Sequence, residues 1–526
     1  MTTTTPRTAT TGKDGDTSDL ASFGYGQQLH RSIGSFGSFA AGFSFVSILT
    51  TVFQLFAFGF SFGGPSFFWT WPIVFVGQLL VALCFAELAA RYPISGCIYQ
   101  WATRLGGHLW GWMAGWLMLV AQVVTVAGAA IALQVVLPAI WSGFQLFGGD
   151  PSLSSTTGST NAVLLGVILL VVTTAINAVG VRVMSIINST GVVCELVGVT
   201  LLCIALFAHA KRGPGIVLHT AGIGGQGAGY LWSFAISGLM AAYVLVGFDS
   251  AGELSEETKN PRRTAPRTIL RAVVVSGVGG AFMLLATMMA ANSVDDGSLG
   301  DPTQGLPSVL LSRLGDTLGR VFLVDVVIAV SVCTLAIQTA TTRMLFSMAR
   351  DRVLPFSTAL AKVNPRTGTP IRPAIVVGVL VSVLLLVNVG NPALFTTLAS
   401  VCIMLLYIAY LMVTTPLLLR RLRGWPAGDS ATPAQEKLFS LGRWGIVVNV
   451  LAVLWGLVMV INLGWPRSAV FDPAGGNWYL KWFAELFLAG ALVVGALAYL
   501  HQRQENRREA AALDPVPALG FAGQLA

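Results

Sequence analysis

Apolar stretches about as long as a bilayer is thick recur along the whole chain. They lie near 37–60, 71–90, 110–137, 161–180, 186–208, 230–254, 268–292, 321–346, 373–389, 393–419, 443–463 and 480–500. Crossing about 30 Å of hydrocarbon takes roughly 20 apolar residues as a helix, so each stretch can cross once. Helix is the form expected, because irregular backbone at that depth leaves N–H and C=O groups without water. Of the 526 residues 54% are hydrophobic, more than one soluble core can hide, and the bilayer is the expected solvent for the remainder. The expected fold class is therefore an all-α integral membrane protein with twelve transmembrane helices.

The net charge of +8 does not point to nucleic acid, because Lys and Arg are not gathered into an aromatic-interleaved patch. Their placement fixes topology. With residue 1 in the cytoplasm, the outer loops hold only Lys211, Arg212, Arg313, Arg320, Arg467 and Lys481, and every other basic residue falls inside, as the positive-inside rule requires. An even span count puts both termini in the cytoplasm and makes the chain a multi-pass protein of the plasma membrane. The Thr-rich start has too little apolar surface to fold, so residues 1–29 are expected to be disordered, followed by a membrane domain over 30–501 and a tail over 502–526. No cleavable signal stretch precedes the first span. The six cysteines show no CxxC spacing and the five histidines no paired-ligand pattern, so neither a metal nor a cofactor is expected.

Two spans carry breaks. "GFSFVSILTTVF" (42–53) puts Ser44, Ser47, Thr50 and Thr51 at membrane depth in span one, and "YVLVGFDSAGEL" (243–254) puts Gly247, Asp249 and Ser250 there in span six. The second contains Ser250-Ala-Gly-Glu253, a capping-box spacing that starts a helix. A kinked continuous helix with Ser or Thr back-bonds is the ordinary alternative for either span alone. Breaks five spans apart instead suggest inverted repeats, in which matching interrupted helices mark a midplane binding site. Repeat one would cover about 35–210, repeat two about 228–420, and the helices over about 443–500 would be additions.

Asp249, Glu253 and Glu257 recur at i, i+4 and i+8 and are predicted to share a face of the helix restarting after the break. Glu256 and Glu257 fall at or beyond the membrane edge, where Arg262, Arg263, Arg267 and Arg271 offer pairing. Asp249 sits at the break, where an ionisable group is costly and a functional candidate; an N-cap onto the inner half-helix is the alternative.

"GFDSAGELSEETKNPRRTAPRTIL" resembles the signature of the amino acid–polyamine–organocation transporter superfamily, and "FAELAARYPISGCIYQWA" (85–102) and "RMLFSMARDRVLPFS" (343–357) agree with it. Span one is closest in tone to the amino acid/choline branch. The resemblance implies a LeuT-like fold of 5+5 inverted helices plus two more, with substrate between the unwound parts of spans one and six. It points to Ser47, Ile48, Thr50 and Thr51 in the first break, to Tyr243, Gly247, Phe248 and Asp249 in the sixth span, and to Gln122 in span three, for which an interhelical hydrogen bond is the alternative. Where relatives carry Gly-Ser-Gly in the first break, this chain has Leu49-Thr50-Thr51; where some carry a span-five Lys, it has Glu195.

A zwitterion suits such a site, since half-helix N-termini favour a carboxylate and C-terminal carbonyls an amine. The expected activity is secondary active transport of amino acids or related amines such as 4-aminobutyrate, without covalent chemistry. Choline or polyamine transport, amino acid exchange, and a ligand sensor of transporter-like build are the alternatives. Ser331 and Thr334 leave sodium coupling open, but Asp249 and Glu195 are the acids predicted deepest in the membrane, so protons are the expected coupling ion, with Asp249 the first candidate carrier.

Overall fold

The computed structural model describes residues 20–21, 23–223, 229–295, 297–301, 305–391, 394–426, 438–471 and 475–513. The principal helices are α1 (Ser35–Val46), α2 (Ile48–Gly63), α3 (Thr70–Arg91), α4 (Cys97–Gly106), α5 (His108–Ala130), α6 (Thr156–Val179), α7 (Val181–Ala208) and α8 (Tyr230–Val244). They continue as α9 (Ser250–Glu253), α10 (Pro261–Ala290), α11 (Gly305–Arg350), α12 (Ile371–Val387), α13 (Leu394–Leu422), α14 (Gly445–Leu463) and α15 (Phe483–Leu513). Among the described residues the sole β pairing is a parallel bridge between Ile33 and Thr258.

Nine helical runs among the described residues are long and apolar enough to cross a membrane, and α8 and α12 are shorter apolar helices. The first run, Ser35–Arg91, holds two of the expected spans. It turns at Gly64 and returns, because Ile33 just before it and Gly96 just after it both bind the segment Glu253–Glu257. Span six is shorter than expected because its helix stops at Val244.

The outer surface is what lipid demands: Val171, Val197, Val379, Leu380 and Val458 are exposed on helices whose other faces are buried. Inside, small residues let helices approach. A Cβ at Gly280 of α10 would lie 2.1 Å from the Trp71 ring of α3, and Trp71 Nε1 donates to Gly277 O at 2.7 Å.

The polar start of the chain is shorter than its composition suggests. Residues 1–19 and 22 lie outside the described residues, but Leu20 and Leu29 are buried and Tyr25 is hydrogen-bonded to Asp351. These apolar and aromatic side chains find cover on the helix ends, which a composition average over 1–29 does not register. At the other end of the chain, α15 continues past 501 to Leu513, and residues 514–526 lie outside the described residues.

Candidate functional site

Span one breaks at Ser47, the first of the four residues expected in the first break. Ser47 has φ 35° and ψ 95°, between the end of α1 and the start of α2 at Ile48. The threonines belong to the first turn of α2: Thr51 Oγ1 donates to Ser47 O at 2.6 Å, and Thr50 Oγ1 accepts from Ser47 Oγ at 2.7 Å. A restarted helix has N–H groups with no partner in the turn before. Glu195 of α7 supplies one, since its Oε1 accepts from Leu49 N at 3.1 Å and from Ser47 Oγ at 3.0 Å. A carboxylate is the favoured group at a helix N-terminus, so the acid seen in span five lies against the span-one break. Ile48 is buried and its side chain reaches Gly279 of α10.

Span six opens between Val244 and Ser250, with Gly247 at φ 85°. The expected capping box does not form, because neither Ser250 nor Glu253 turns back onto the local backbone. Ser250 Oγ donates to Ala41 O of α1 at 3.1 Å, and Asp249, at the N-cap position, makes no side-chain cap bond. Instead the Tyr410 hydroxyl of α13 donates to Asp249 Oδ1 and accepts from Gly247 N at 2.9 Å. Asp249 Oδ2 is buried with no hydrogen-bond partner among the described residues. Phe248 packs against Tyr410 and Phe85, with ring centroids 5.5 and 6.1 Å away.

The two breaks touch. A Cβ on Gly247 would lie 1.7 Å from the Phe45 ring of α1, and one on Gly42 would lie 3.4 Å from Phe248 O. Tyr410, which ties the second break, escaped sequence reading. A tyrosine in the middle of span ten needs a partner for its hydroxyl, and that was the available signal.

Tyr243 lies in the last turn of α8, and its hydroxyl is 3.0 Å from where a Cβ on Gly128 of α5 would be. Gln54 of α2 donates to Gly128 O at 2.8 Å. Gln122, also on α5, is buried, and neither atom of its amide has a partner among the described residues. The interhelical hydrogen bond considered for it is therefore absent there.

The other acids follow a different plan from the one their spacing suggests. Only one turn of α-helix, Ser250–Glu253, follows the break before a 3-10 turn over Ser255–Glu257, so Asp249, Glu253 and Glu257 share no helix face. Glu253 accepts from Gly96 N at 2.8 Å and from the Cys97 thiol at 3.4 Å. Candidate ligand atoms of Cys97, Asp249 and Glu253 lie within 4.8 Å of one another, but these hydrogen bonds and that of Tyr410 already account for the arrangement. Glu256 and Glu257 are fully buried and pair with arginines of α11, not with those following them: Arg350 grips Glu256 through two contacts of 2.9 Å, and Arg343 meets Glu257 at 2.9 Å.

Removing one partner of a buried pair leaves an uncompensated charge, at a cost of about 3–5 kcal/mol. Arg343→Met is accordingly expected to lower thermal stability in detergent sharply, and Arg343→Met with Glu257→Leu to recover most of it. Melting curves of the two variants check this.

Asp325 of α11 is a further acid at membrane depth that the depth ranking passed over. Its carboxylate packs on Gly198, one turn beyond Glu195, and its buried Oδ2 has no partner among the described residues. Ser331 and Thr334 turn their hydroxyls onto their own helix, to Val327 O and Val330 O at 2.8 Å each.

Membrane-length helices, two of them interrupted where they meet and carrying a buried acid at the junction, are the construction of membrane transporters. The sequence family described as amino acid permease matches residues 31–492, and the chain belongs to it, as a permease of the amino acid–polyamine–organocation superfamily. It is similar to the amino-acid permease BAT1 of Arabidopsis thaliana, 28% identical over 85% of this chain and 88% of the relative. It is also similar to the thiamine transporter thi9 of Schizosaccharomyces pombe, 28% identical over 74% and 71%, and to the human cationic amino acid transporter 4, 29% identical over 70% and 56%.

Proposed function

We propose that the chain is a secondary active transporter that carries amino acids or related amines such as 4-aminobutyrate across the plasma membrane by alternating access, coupled to protons. In this reading twelve helices form a LeuT-like 5+5 inverted repeat plus two, and the Arg-rich end and both termini are cytoplasmic. The observation that carries it is the contact between the two breaks beside Asp249, whose Oδ2 has no hydrogen-bond partner among the described residues. Substrate would bind among Ser47, Ile48, Thr50 and Thr51 of the first break, Tyr243, Gly247, Phe248 and Asp249 of span six, and Gln122.

A buried carboxylate oxygen is costly when charged and bare, and the cost falls when it meets a cation or takes a proton. Substrate amine and coupling proton are both of that kind, so Asp249 serves as amine ligand, proton carrier or each in turn. Glu195 is the second coupling acid, placed to transmit its state to the span-one break through Leu49 and Ser47. The cluster of Phe248, Phe85 and Tyr410 rings, with the Tyr410 hydroxyl on Asp249, also supports a second reading, a carrier of choline or polyamines, whose cations need no carboxylate partner.

Uptake in proteoliposomes decides between them. A panel of amino acids, 4-aminobutyrate, choline and polyamines is competed against one another under an inward proton gradient and, separately, a sodium gradient. Uptake of an amino acid driven by protons is expected. Transport of choline or polyamines alone would establish the second reading, and a strict sodium requirement would remove proton coupling.

A further inference from the structure

Residues 23–33 leave a turn at Phe23 and Gly24 and then run, with a bend at Leu29, across the end of the molecule where the arginines of α4, α10 and α11 collect. Phe23, Tyr25, Gln27 and Leu29 turn inward while Gly24, Gly26, Gln28 and His30 are exposed, the alternation of an extended strap. Its two ends are fastened to different parts of the transporter. At one end Ile33 N donates to Glu257 O at 2.9 Å and Lys259 N to Ile33 O at 3.0 Å. Because α1 begins at Ser35, this joins the foot of span one to the end of span six.

At the other end the Tyr25 hydroxyl donates to Asp351 just beyond α11, at 2.9 Å to Oδ1, and Gln100 Nε2 of α4 donates to Asp351 Oδ2 at 3.0 Å. The Arg350 guanidinium lies 4.0 Å from the centre of the Tyr25 ring while it grips Glu256. Burial and the Asp351 charge push the Tyr25 phenol above its ordinary value, so it stays protonated and donates. Between the ends, Gln27 Nε2 donates to Glu256 O at 3.1 Å and Arg31 to Thr258 O at 3.2 Å.

Beneath the strap this end is closed by buried polar contacts. Ser347 Oγ of α11 donates to Ser95 O at 2.8 Å, and Ser95 N donates to Glu256 Oε1 at 3.1 Å. Under that layer lies Cys97, fully buried, with its thiol on Glu253. In the alternating-access reading, opening this end parts the feet of spans one and six from α4 and α11, and the strap joins those two groups from outside. Its Ile33 end can travel with spans one and six, because both of its backbone bonds are to span six. Its Tyr25 end cannot, because its partners are on α4 and α11.

We propose that residues 23–33 are a latch that holds the Arg-rich end closed, and that the Tyr25 hydroxyl must leave Asp351 before this end can open. The latch rests on the alternating-access reading, yet its test needs no substrate. The full-length chain in liposomes is treated with N-ethylmaleimide, and modification is followed by peptide mass spectrometry at Cys97, with half-buried Cys194 on span five and buried Cys333 as references.

Tyr25→Phe keeps the ring against Arg350 and removes only the hydroxyl, and Asp351→Asn weakens the acceptor from the opposite side. Each is expected to speed Cys97 modification about tenfold, the effect of losing a hydrogen bond to a charged group, without change at Cys194 or Cys333. Unchanged Cys97 rates in both variants would overturn the latch, as would an equal rise at Cys333, which signals general loosening. Faster Cys97 modification in a chain that carries no substrate of the panel would uphold the latch and reject the transport reading. Panel uptake with unchanged Cys97 rates would do the reverse.

Discussion

Asp249→Asn is expected to abolish uptake driven by an inward proton gradient while sparing substrate exchange. The substitution is nearly isosteric, and the amide oxygen can still accept the Tyr410 hydroxyl, so the span-six break keeps its tie to α13. The change falls on the second atom. In the native chain that oxygen is buried and without a partner among the described residues, able to take a proton or an amine; in the variant an NH2 group stands there and can take neither. Gradient-driven uptake and counterflow exchange in the same proteoliposomes separate the two roles. Loss of uptake with retained exchange identifies the proton carrier, loss of both identifies the amine ligand, and uptake unchanged at all substrate concentrations removes Asp249 from the mechanism. Glu195→Gln keeps an oxygen for Leu49 N and Ser47 Oγ, and is expected only to weaken the pH dependence of uptake.

Gly247→Ala is expected to eliminate transport and lower stability together. At φ 85° an L-residue with a Cβ is strained by about 1–2 kcal/mol, which the fold could survive. The added methyl, however, would lie 1.7 Å from the Phe45 ring, far inside contact distance, and Gly247 N is tied to Tyr410. Overpacking of this kind costs about 1–3 kcal/mol more, and relief requires the two breaks to move apart. Shortening the opposing ring should therefore help, so Phe45→Leu combined with Gly247→Ala is expected to melt higher than Gly247→Ala alone. Equal transport by Gly247→Ala and the native chain would show that the contact between the breaks is not needed.

Much of this protein is legible in its sequence because the bilayer allows few solutions. Wherever about 20 apolar residues run together, the backbone must satisfy itself, so the helices could be located from composition alone. Gly247 announced the span-six break, since the left-handed backbone it adopts is one that glycine tolerates best. Ser47, by contrast, takes positive φ without being glycine, and nothing local distinguishes it from Thr50. The break falls there because Glu195, far away in the chain, reaches the N-terminus of α2.

Partnership is what the sequence withheld. The regular spacing of Asp249, Glu253 and Glu257 suggests one helical face, yet they bind Tyr410, Gly96 with Cys97, and Arg343 respectively. Local periodicity describes a continuous helix, and this one lasts a single turn before α4, α11 and α13 claim its polar groups. Which residues are apolar, where the chain bends and which acids are costly follow from each residue's own chemistry in lipid. Which donor meets each acid, and that Tyr25 closes over Asp351 across more than three hundred residues of sequence, depend on helices brought together from distant parts of the chain, and only the tertiary structure decides them.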